Sequence, residues 1–387
     1  MKIVHLCLCS FFPDNYSYQE NMLPKFHKEL GYEVEVIAST QSFDEHGKVC
    51  FLDKIGTYKN EYDIQVTRLP YKRNNSMEHK LKRYIGTYAA LEKAAPDILF
   101  IHGGQFMDAT QVIKYLKKHP SVKVYVDNHA DFSNSGTNWV SKNVLHKILW
   151  KHYIQRLNPY VTKFYGVLPA RVEFLKKNYG LPPEKCELLV MGADDKIVEK
   201  ATRLDIRMAT RQRYGIKDSD FLVVTGGKIN HYRPETLNLM EAISESNFER
   251  LKLIVFGAVE ESLRPQFDRL CTSERIQFCG WKNTEDTYCL MAAGELVVFP
   301  GLHSVMWEQA VALGVPCVFR DIPGFHHVDL KGNTIFLADV SKEALKYTVE
   351  SLVGDHVKYQ AMREVAQGKG IDQFSYKKIA QRSIELK

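Results

Sequence analysis

The fold is decided by residues 299–316, whose sequence is FPGLHSVMWEQAVALGVP. The run ELVVF at residues 295–299 is short, apolar and stopped at once by a Pro-Gly pair, which is typical of a buried parallel strand. Small and apolar residues then continue as far as Gly314, which predicts a helix with Ser304 as its N-cap. Strand, glycine turn and helix in this order are the repeating unit of a parallel α/β sheet.

The turn in this stretch is a predicted anion site. Free main-chain N–H groups of Gly301, Leu302, His303 and Ser304 would point past the strand end, where the helix dipole favours a phosphate. Glu308 lies about one turn into the helix, where a carboxylate can accept two hydrogen bonds from a diol such as ribose. The alternative for Glu308 is an acid on a solvent-exposed helix face, which its apolar neighbours argue against.

The same stretch resembles the donor-binding motif of retaining GT-B glycosyltransferases of family 4, in which a glycine turn and a helix precede Glu-Ala-Met-Ala-x-Gly-x-Pro. Residues 308–316, EQAVALGVP, match that pattern. The family usually has a second Glu eight positions earlier, where this chain has Pro300. The resemblance therefore implies that Glu308 binds the ribose, and main-chain groups at Gly301 and Leu302 are candidates for the missing sugar contact.

Composition predicts a soluble protein of two domains. The chain has 387 residues, which is too long for one ordinary core, and its apolar fraction of 45% and charged fraction of 25% are those of a globular protein. No apolar run approaches the length of a membrane span, and the run after Met1 is too short for a signal peptide. We therefore expect a cytoplasmic location, with peripheral contact to the inner face of a membrane as an option.

The charge and the cysteines narrow the classes of partner. A net charge of +6 favours anionic ligands or an anionic membrane surface, and nucleic acid is not an expected partner. The eight cysteines lie mostly in apolar stretches and form no Cys-x-x-Cys pair, so buried reduced thiols are favoured over disulfides or a zinc site.

The first half begins with a β-α-β pattern. Strand-like runs at residues 2–9 and 33–38 flank an amphipathic segment at about 18–30, which implies a right-handed crossover and a parallel sheet. Residues 31–37, GYEVEVI, resemble the Gly-His-Glu-Val-x-Val of the same family.

The first loop departs from that family. Its members have a glycine-rich loop that lets the main chain approach the donor diphosphate, whereas residues 15–21 contain no glycine. Tyr18, Gln19 and Glu20 would then approach a ligand by their side chains, and the alternative is that they form plain helix surface.

Two later strands of the first half end in polar residues. Residues 96–104 end in His102 and a glycine turn, and residues 122–131 end in His129 and Asp131. The carboxyl ends of strands are where open α/β sheets bind ligands, so His102 and Asp131 are candidates for the acceptor side. By resemblance, His129 contacts the donor sugar near its anomeric carbon, and Asp131 orients it or binds an acceptor hydroxyl. A structural role is the alternative for a lone histidine.

A basic stretch lies at residues 72–83. It contains Lys72, Arg73, His79, Lys80, Lys82 and Arg83. A solvated helix face is the favoured interpretation, and the functional alternative is contact with an acidic headgroup or a lipid-diphosphate acceptor.

The domain boundaries follow from composition and resemblance. LVMGAD at residues 189–194 resembles the Pro-Asn-Gly-Val-Asp that closes the first domain of the family, and the polar run at 195–207 is the predicted linker. FSYKKIA at residues 374–380 resembles the Phe-Ser-Trp-x-x-Ile-Ala of a terminal helix that crosses back. We predict domains at 1–200 and 201–370, with that helix at 371–387.

The second half repeats the pattern of strands with glycine ends. The strand at 221–225 leads into a turn with two cations, and by resemblance Lys228 and Arg233 grip the donor diphosphate and neutralise its developing charge. Trp281 stacks on the nucleotide base or belongs to the core, and the core is favoured. The other donor-binding candidates of these strand ends are Gly226, Gly227, Asn230, Gly257 and Gly280.

We therefore predict two Rossmann-like doubly wound α/β domains facing a cleft, the GT-B fold. The resemblance implies a retaining transfer of a hexosyl or N-acetylhexosaminyl group from a nucleotide-sugar, expected to be a UDP-sugar, to a glycan or lipid-linked saccharide in cell-surface polysaccharide synthesis. No Asp-x-Asp stands at a strand end, so no metal or other cofactor is expected. Two alternatives stay open: another GT-B enzyme, such as an inverting transferase or a nucleotide-sugar epimerase, and a non-catalytic scaffold or partner subunit.

Overall fold

The computed structural model describes residues 1–43, 48–53, 55–132, 134–135, 138–231 and 234–384. Internal contacts divide the chain into two units, Met1–Met191 with Tyr376–Lys387, and Gly192–Ser375. Each unit is built around one mainly parallel sheet whose strands alternate with helices, so the predicted doubly wound α/β class is confirmed.

The first unit contains a sheet of eight strands and a separate two-stranded ribbon. Its strands are β1 (Lys2–Cys7), β2 (Glu33–Ser39), β3 (Gln41–Phe43), β4 (Val49–Phe51), β5 (Gly56–Lys59), β6 (Gln65–Leu69), β7 (Ile98–His102), β8 (Lys123–Asn128), β9 (Lys163–Gly166) and β10 (Cys186–Leu188). The large sheet has the order β10-β9-β8-β7-β1-β2-β6-β5, and only β5 runs antiparallel to its neighbour. The ribbon pairs β3 with β4.

The helices of the first unit mostly connect parallel strands. They are α1 (Gln19–Glu29), α2 (Ser76–Leu81), α3 (Thr87–Ala94), α4 (Ala109–Lys118), a π-helical stretch (Ser141–Trp150), α5 (Lys151–Leu157) and α6 (Pro169–Tyr179), with short 3-10 turns at Asn158–Tyr160 and Pro183–Lys185. The β1-α1-β2 order agrees with the crossover predicted from the first forty residues or so.

The second unit contains six parallel strands in the order β13-β12-β11-β14-β15-β16. They are β11 (Phe221–Ile229), β12 (Leu251–Val259), β13 (Ile276–Phe278), β14 (Leu296–Phe299), β15 (Cys317–Arg320) and β16 (Thr334–Leu337). The helices are α7 (Asp195–Ala201), α8 (Leu204–Arg213), α9 (Glu235–Ser244), α10 (Arg264–Leu270), α11 (Thr284–Ala293), α12 (Met306–Ala312), α13 (Lys342–Gly354) and α14 (His356–Phe374), with 3-10 turns at Glu261–Leu263 and His326–Val328.

The last helix, α15 (Tyr376–Ser383), packs within the first unit. The ring of Tyr376 stacks on Phe26 of α1 with 6.0 Å between ring centroids. Ser383 Oγ lies 3.0 Å from the Nε2 of His27, also on α1. The end of the chain is thereby joined to the first β-α-β unit.

Three local predictions need correction. Residues 195–207 do not form a linker but fall mainly in α7 and α8, because Arg207 and Arg211 of α8 are used in ion pairs with Glu295 rather than exposed to solvent. The strand predicted to end at residue 225 continues through two glycines to Ile229. The helix after β14 begins at Met306, so Ser304 is not its N-cap.

The sequence argued against disulfide bonds and against a membrane span, and the structure gives an observation on each. All eight cysteines are free, of which Cys7, Cys186 and Cys317 are buried and the other five partly buried. No helix among the residues that the structure describes is both long and apolar enough to cross a bilayer.

Gly368 and Gly370 of α14 allow a matched test of how closely α14 packs against α12. A Cβ added at Gly370 would lie 2.0 Å from the carbonyl oxygen of Val311 in α12, whereas one added at Gly368 would meet nothing within 4 Å. We expect Gly370→Ala to lower the free energy of unfolding by about 1–3 kcal/mol through overpacking. Gly368→Ala should raise it by about 0.5–1 kcal/mol, since alanine loses less backbone entropy in a helix.

Urea denaturation of both variants, with the wild type, measures this difference. Equal effects of the two substitutions would contradict the close approach of α14 to α12.

Candidate active site

The first unit has a large pocket of ≈ 900 Å³ at the carboxyl ends of its strands. His129 enters it just after β8, Tyr18 and Glu20 enter it from the start of α1, and Lys80 and Lys82 enter it from α2 and its C-terminal end. Pockets of several hundred Å³ are of the size that holds small molecules and sugars. The structure thus brings together the histidine, the first loop and the basic stretch that the sequence singled out separately.

His129 faces two carboxylates with one ring nitrogen. Its Nε2 lies 3.4 Å from Oδ2 of Asp127 and 3.9 Å from Oε1 of Glu20, distances of ion pairs rather than of well-aligned hydrogen bonds. Burial lowers the pKa of His129, but attraction to Asp127 and Glu20 outweighs it, so the pKa is raised above its ordinary value. With 29% of its side chain exposed, His129 lies at the wall of the pocket.

Two of the predicted acceptor-side residues, His102 and Asp131, do not line the pocket. His102 is fully buried and bonds to Asp127 at 2.8 Å, so it does not line the pocket. Asp131 pairs with Arg171 at 3.2 Å, so the carboxylate that faces His129 is Asp127 rather than Asp131. The sequence could not separate these acids, because both stand beside the end of one strand.

The first loop is not plain helix surface. Gln19 and Glu20 are 2% and 6% exposed, and Gln19 Nε2 lies 3.4 Å from Oδ2 of Asp127. Tyr18 is 41% exposed and lines the pocket with Glu20. Side chains therefore occupy the place where the family that the sequence resembles has glycine, and of these three residues Tyr18 and Glu20 reach the pocket.

The basic stretch is only partly a solvated face. Lys82 Nζ donates to the carbonyl oxygen of Cys9 at 2.5 Å and lies 3.3 Å from its Sγ, and Arg83 pairs with Glu78. Lys82 holds a positive φ of 54°, a left-handed conformation that is uncommon outside glycine. Its ammonium group is thereby held at the pocket wall.

The opposite wall is neutral, and sequence reasoning missed it. His146 Nδ1 lies 2.7 Å from the hydroxyl of Tyr179, which also accepts from Gln105 Nε2 at 3.2 Å. Burial and the neighbouring Lys82 lower the pKa of His146 to about 4, so this histidine is neutral. No spacing in the sequence connects residues 105, 146 and 179, since they meet only through β7, the π-helical stretch and α6.

In the second unit, predicted donor-binding residues meet in a narrow pocket of ≈ 20 Å³. It is lined by Thr225, Gly226, Lys228, Thr236, Phe299, Pro300, Gly301, Leu302, Ser304 and Met306. Its size suits one small anionic group and not a whole nucleotide. Arg233, the second predicted cation, lies outside the described residues.

Lys228 and the turn after β14 have unused hydrogen-bonding groups. Lys228 is exposed, and its ammonium group forms no ion pair or hydrogen bond with any other described residue. Within the same described part of the chain, the main-chain N–H groups of residues 301–304 donate no hydrogen bond. A cation and a row of free N–H groups around one recess can bind a phosphate.

The predicted glycines of the strand ends shape the main chain. Gly227 and Gly257 are register partners with φ of +116° and +118°, and a Cβ on Gly257 would lie 2.0 Å from the carbonyl oxygen of Gly227. Gly280 accepts a hydrogen bond from the N–H of Gly257 at 2.9 Å. Trp281 is 73% exposed, so its favoured assignment to the core was wrong, and Asn230 follows β11 half-buried.

Glu308 is held between two histidines. It is fully buried, and its Oε1 accepts from His303 Nε2 at 3.0 Å and from His327 Nε2 at 2.8 Å. Burial raises the pKa of Glu308, but attraction to His303 and the hydrogen bonds of both histidines outweigh it, so the pKa lies well below its usual range. The helix-surface alternative is excluded, and the predicted ribose contact requires a histidine to release the carboxylate.

The same three residues have the donor set of a zinc site. Their ligand atoms all lie within 4.8 Å of one another. A metal-bound histidine normally donates its other ring N–H to an acceptor, but Nδ1 of His327 is buried without a partner among the described residues. Hydrogen bonds from Nε2–H to Glu308 account for the cluster without a metal, and the expected absence of a metal stays a prediction.

Comparisons with known proteins agree with this architecture. Residues 220–355 match the family model of the glycosyl transferases group 1. No curated protein sequence matches the chain.

Solved structures resemble the chain over almost its whole length. HepE from Anabaena in complex with UDP and glucose is 16% identical with a TM-score of 0.67, and the match covers 99% of this chain and 98% of that one. WaaG, a glycosyltransferase involved in lipopolysaccharide biosynthesis, is 15% identical with a TM-score of 0.67 over 99% and 100% of the two chains. UDP-GlcNAc 2-epimerase from Neisseria meningitidis, bound to UDP-GlcNAc, is 12% identical with a TM-score of 0.63 over 99% of each. At these identities the likeness shows the fold, which is GT-B.

The paired histidines predict that Glu308→Gln destabilises the second unit. A glutamine oxygen can still accept from both histidines, but the charge is lost and an NH₂ group is buried in its place, so we expect a loss of about 1.5–3 kcal/mol in the free energy of unfolding at pH 7. Because the folded pKa of Glu308 is depressed, its contribution is present above the ordinary carboxyl pKa of about 4.3 and is lost as the pH falls.

Thermal unfolding of Glu308→Gln at a series of pH values measures this effect, with the exposed Glu364→Gln as the matched control. The difference from wild type should narrow as the pH is lowered from 5 towards 2. A difference that stays constant with pH would contradict the buried charge.

Proposed function

We propose that the chain, whose residues 220–355 carry a group 1 glycosyltransferase domain within a GT-B fold, is a retaining glycosyltransferase. It transfers a hexosyl or N-acetylhexosaminyl group from a UDP-sugar to a glycan or lipid-linked saccharide. The observation that carries the proposal is the recess in the second unit, where exposed Lys228 and the free N–H groups of residues 301–304 surround one anion-sized space.

On the donor side, this recess would stabilise the leaving group. Negative charge accumulates on the nucleoside diphosphate as its bond to the anomeric carbon breaks. Among the described residues, Lys228 and these main-chain N–H groups have no other partner, so they can meet that charge without giving up an existing bond. Arg233 is the proposed second cation.

On the sugar side, His129 would act as a hydrogen-bond donor rather than as a base. Its raised pKa favours the protonated ring, which has no lone pair to take a proton. In a retaining transfer of the kind proposed, the leaving phosphate takes the acceptor proton on the same face. No enzymic nucleophile is then required.

The acceptor is proposed to enter the large pocket of the first unit. The pocket offers two cations, Lys80 and Lys82, opposite the neutral His146. A saccharide linked to a lipid diphosphate carries both the hydroxyls and the negative charge that such a wall recognises. The position of Lys80 and Lys82 in the pocket favours a role of the basic stretch in binding the acceptor over a role as solvent-exposed helix surface.

Peripheral contact with an anionic membrane at the cytoplasmic face is part of the proposal. Exposed apolar side chains stand at and near the π-helical stretch, namely Trp139, Val140, Val144 and Ile148. Residues 139–157 contain four lysine or arginine residues and no acid. Exposed apolar groups among unopposed cations suit a surface of anionic lipid. WaaG is described as involved in lipopolysaccharide biosynthesis, which supports a cell-surface polysaccharide as the product.

A nucleotide-sugar epimerase is the second candidate. The Neisseria meningitidis epimerase shares the fold and is bound to UDP-GlcNAc. A non-catalytic scaffold also stays open, because Pro300 replaces one family Glu and Glu308 is closed off. The anomeric configuration of a product, or conversion of UDP-GlcNAc without acceptor, distinguishes the three by proton NMR.

Nucleotide binding tests the donor recess directly. We expect UDP, in the presence of chelator, to raise the melting temperature more than GDP, ADP or CDP, since a ligand at 100 times its Kd adds about 2.7 kcal/mol of stability. Lys228→Ala should weaken binding at least about tenfold by removing a charged contact. Lys252→Ala, at the amino end of the adjacent strand β12, is the control and should bind like wild type.

If no nucleotide shifts the wild type, the transferase proposal fails and the scaffold takes its place. If the two lysine variants lose binding equally, the recess is not the phosphate site.

Vesicle binding tests the membrane contact. We expect co-sedimentation with vesicles that contain about a third anionic lipid, weakened by salt because exposed charges are screened. Trp139→Ser combined with Ile148→Ser should reduce the bound fraction several-fold. Tyr347→Ser with Val357→Ser, equally exposed in the second unit, is the matched control. Binding that is unaffected by the first pair would contradict this surface.

A further inference from the structure

A chain of hydrogen-bonded histidines runs through the interior of the first unit. His27 Nε2 lies 3.0 Å from the carbonyl oxygen of Ala380, and His27 Nδ1 lies 3.0 Å from His5 Nε2. His5 Nδ1 lies 2.9 Å from His102 Nε2, and His102 Nδ1 lies 2.8 Å from Oδ2 of Asp127. The chain therefore has four links between the carbonyl of Ala380 and the carboxylate of Asp127.

The hydrogen-bonded histidines are fully buried, and they come from separate elements of the fold. His5, His27, His102 and Asp127 are each 0% exposed. His5 comes from β1, His27 from α1, and His102 and Asp127 are register partners on β7 and β8. The Asp127 end emerges at the pocket, where Oδ2 of Asp127 lies 3.4 Å from His129 Nε2.

The histidine chain needs one proton more than three neutral imidazoles carry. Four hydrogen bonds need four protons, because the carbonyl and the carboxylate at the two ends only accept. Three neutral imidazoles supply three protons. The fourth makes one of the histidines an imidazolium, unless the hydroxyl of Ser383, 3.0 Å from His27 Nε2, donates instead. That hydroxyl already donates to the carbonyl of Ala380 at 2.8 Å.

The excess proton belongs next to Asp127. Burial lowers the pKa of His5 well below its ordinary value and that of His27 to about 4, so these two histidines are neutral. His102 remains, in contact with the carboxylate. Burial raises the pKa of Asp127, but attraction to His102 and His129 outweighs it and holds the pKa below its usual range.

We propose that Asp127 is the positioning residue for His129, and that the histidine chain His27–His5–His102 is a buried cation that keeps Asp127 ionised. The geometry that supports this is a carboxylate fully enclosed between two imidazoles, with Gly103 N–H donating to its other oxygen at 3.1 Å. A buried carboxylate without such a partner would take up a proton. Its hold on His129 would then be lost.

The consequence for transfer rests on the proposed function of His129 as the contact to the donor sugar. With Asp127 ionised, its attraction holds the pKa of His129 above the ordinary value, which favours the protonated ring. The other charged groups that face His129 are Glu20 of α1, which favours the cation, and Arg171 of α6, which opposes it. Asp127 lies closer to His129 than Glu20 does, at 3.4 Å against 3.9 Å.

Nitrogen-15 NMR of the histidine-labelled wild-type protein tests the proton count, and Ser383→Ala serves as a control. From the hydrogen-bond count we expect His5 and His27 each as one neutral tautomer with a proton on Nε2, and a proton on both nitrogens of His102. Ser383→Ala should leave these signals unchanged, because the carbonyl of Ala380 remains as the acceptor. A neutral His102 in the wild type, or collapse of the pattern in Ser383→Ala, would overturn the cation.

Asp127→Asn tests the positioning role. We expect the apparent pKa of His129 to fall to or below the ordinary value of about 6.5, whereas His146, which does not touch Asp127, titrates as in wild type. If His129 titrates unchanged in Asp127→Asn, the positioning role is wrong. Should this variant not fold, the wild-type signals of His102 still decide the proton count.

Activity separates this proposal from the proposed function. In Asp127→Asn, kcat/KM for sugar transfer should fall roughly tenfold or more at pH 8 and less at pH 6, because the lower pH protonates a larger share of His129 in the variant. A loss that is equal at both pH values would count against control of His129 by charge. If the NMR pattern holds and no transfer is found with any UDP-sugar, the proposed function fails while the histidine chain stands.

Discussion

A carboxylate that is closed off from water needs partners, and in both units of this protein two imidazoles supply them. Asp127 lies between His102 and His129, and Glu308 lies between His303 and His327. Both acids are 0% exposed, and both stand close to the carboxyl end of a parallel strand, Asp127 within β8 and Glu308 on the helix that follows β14. A buried ionised acid costs several kcal/mol unless it is paired, so each pair of histidines is a condition for the local fold. The site residues around them are placed as a consequence.

The two clusters of a carboxylate and two histidines differ in how far their histidines are exposed. In the first unit the second imidazole, His129, is partly exposed, so the charge held on Asp127 is transmitted to the wall of the ≈ 900 Å³ pocket. In the second unit both imidazoles are nearly enclosed, and the free hydrogen-bonding groups lie instead at Lys228 and the turn of residues 301–304. One cluster therefore reaches the wall of a large pocket, whereas the other lies at the start of α12 beside a recess that it does not enter.

Strand identity and order could be predicted well, because short apolar runs with glycine ends have few other interpretations. The residues at which strands and helices begin and end could not be predicted as well. The glycines after residue 225 suggested a turn, yet they continue β11 as register partners of β12, and Ser304 failed as an N-cap because the turn extends two residues further to Met306. The polar run at 195–207 suggested a linker, but Arg207 within it and Arg211 just after it pair with Glu295, more than eighty residues away, a pairing that no local pattern contains.

The amino-acid sequence alone predicted two doubly wound α/β units and placed His129 and Lys228 near strand ends. These features follow from periodicity and turn chemistry, which are local properties of the chain. Which polar residues meet depended on the three-dimensional packing. His5, His27, His102 and Asp127 are spread over more than a hundred residues and come together because parallel strands place their carboxyl ends along one edge and α1 packs beside it. Burial then settles their charges, because an interior without water leaves each proton only the partners that the fold supplies.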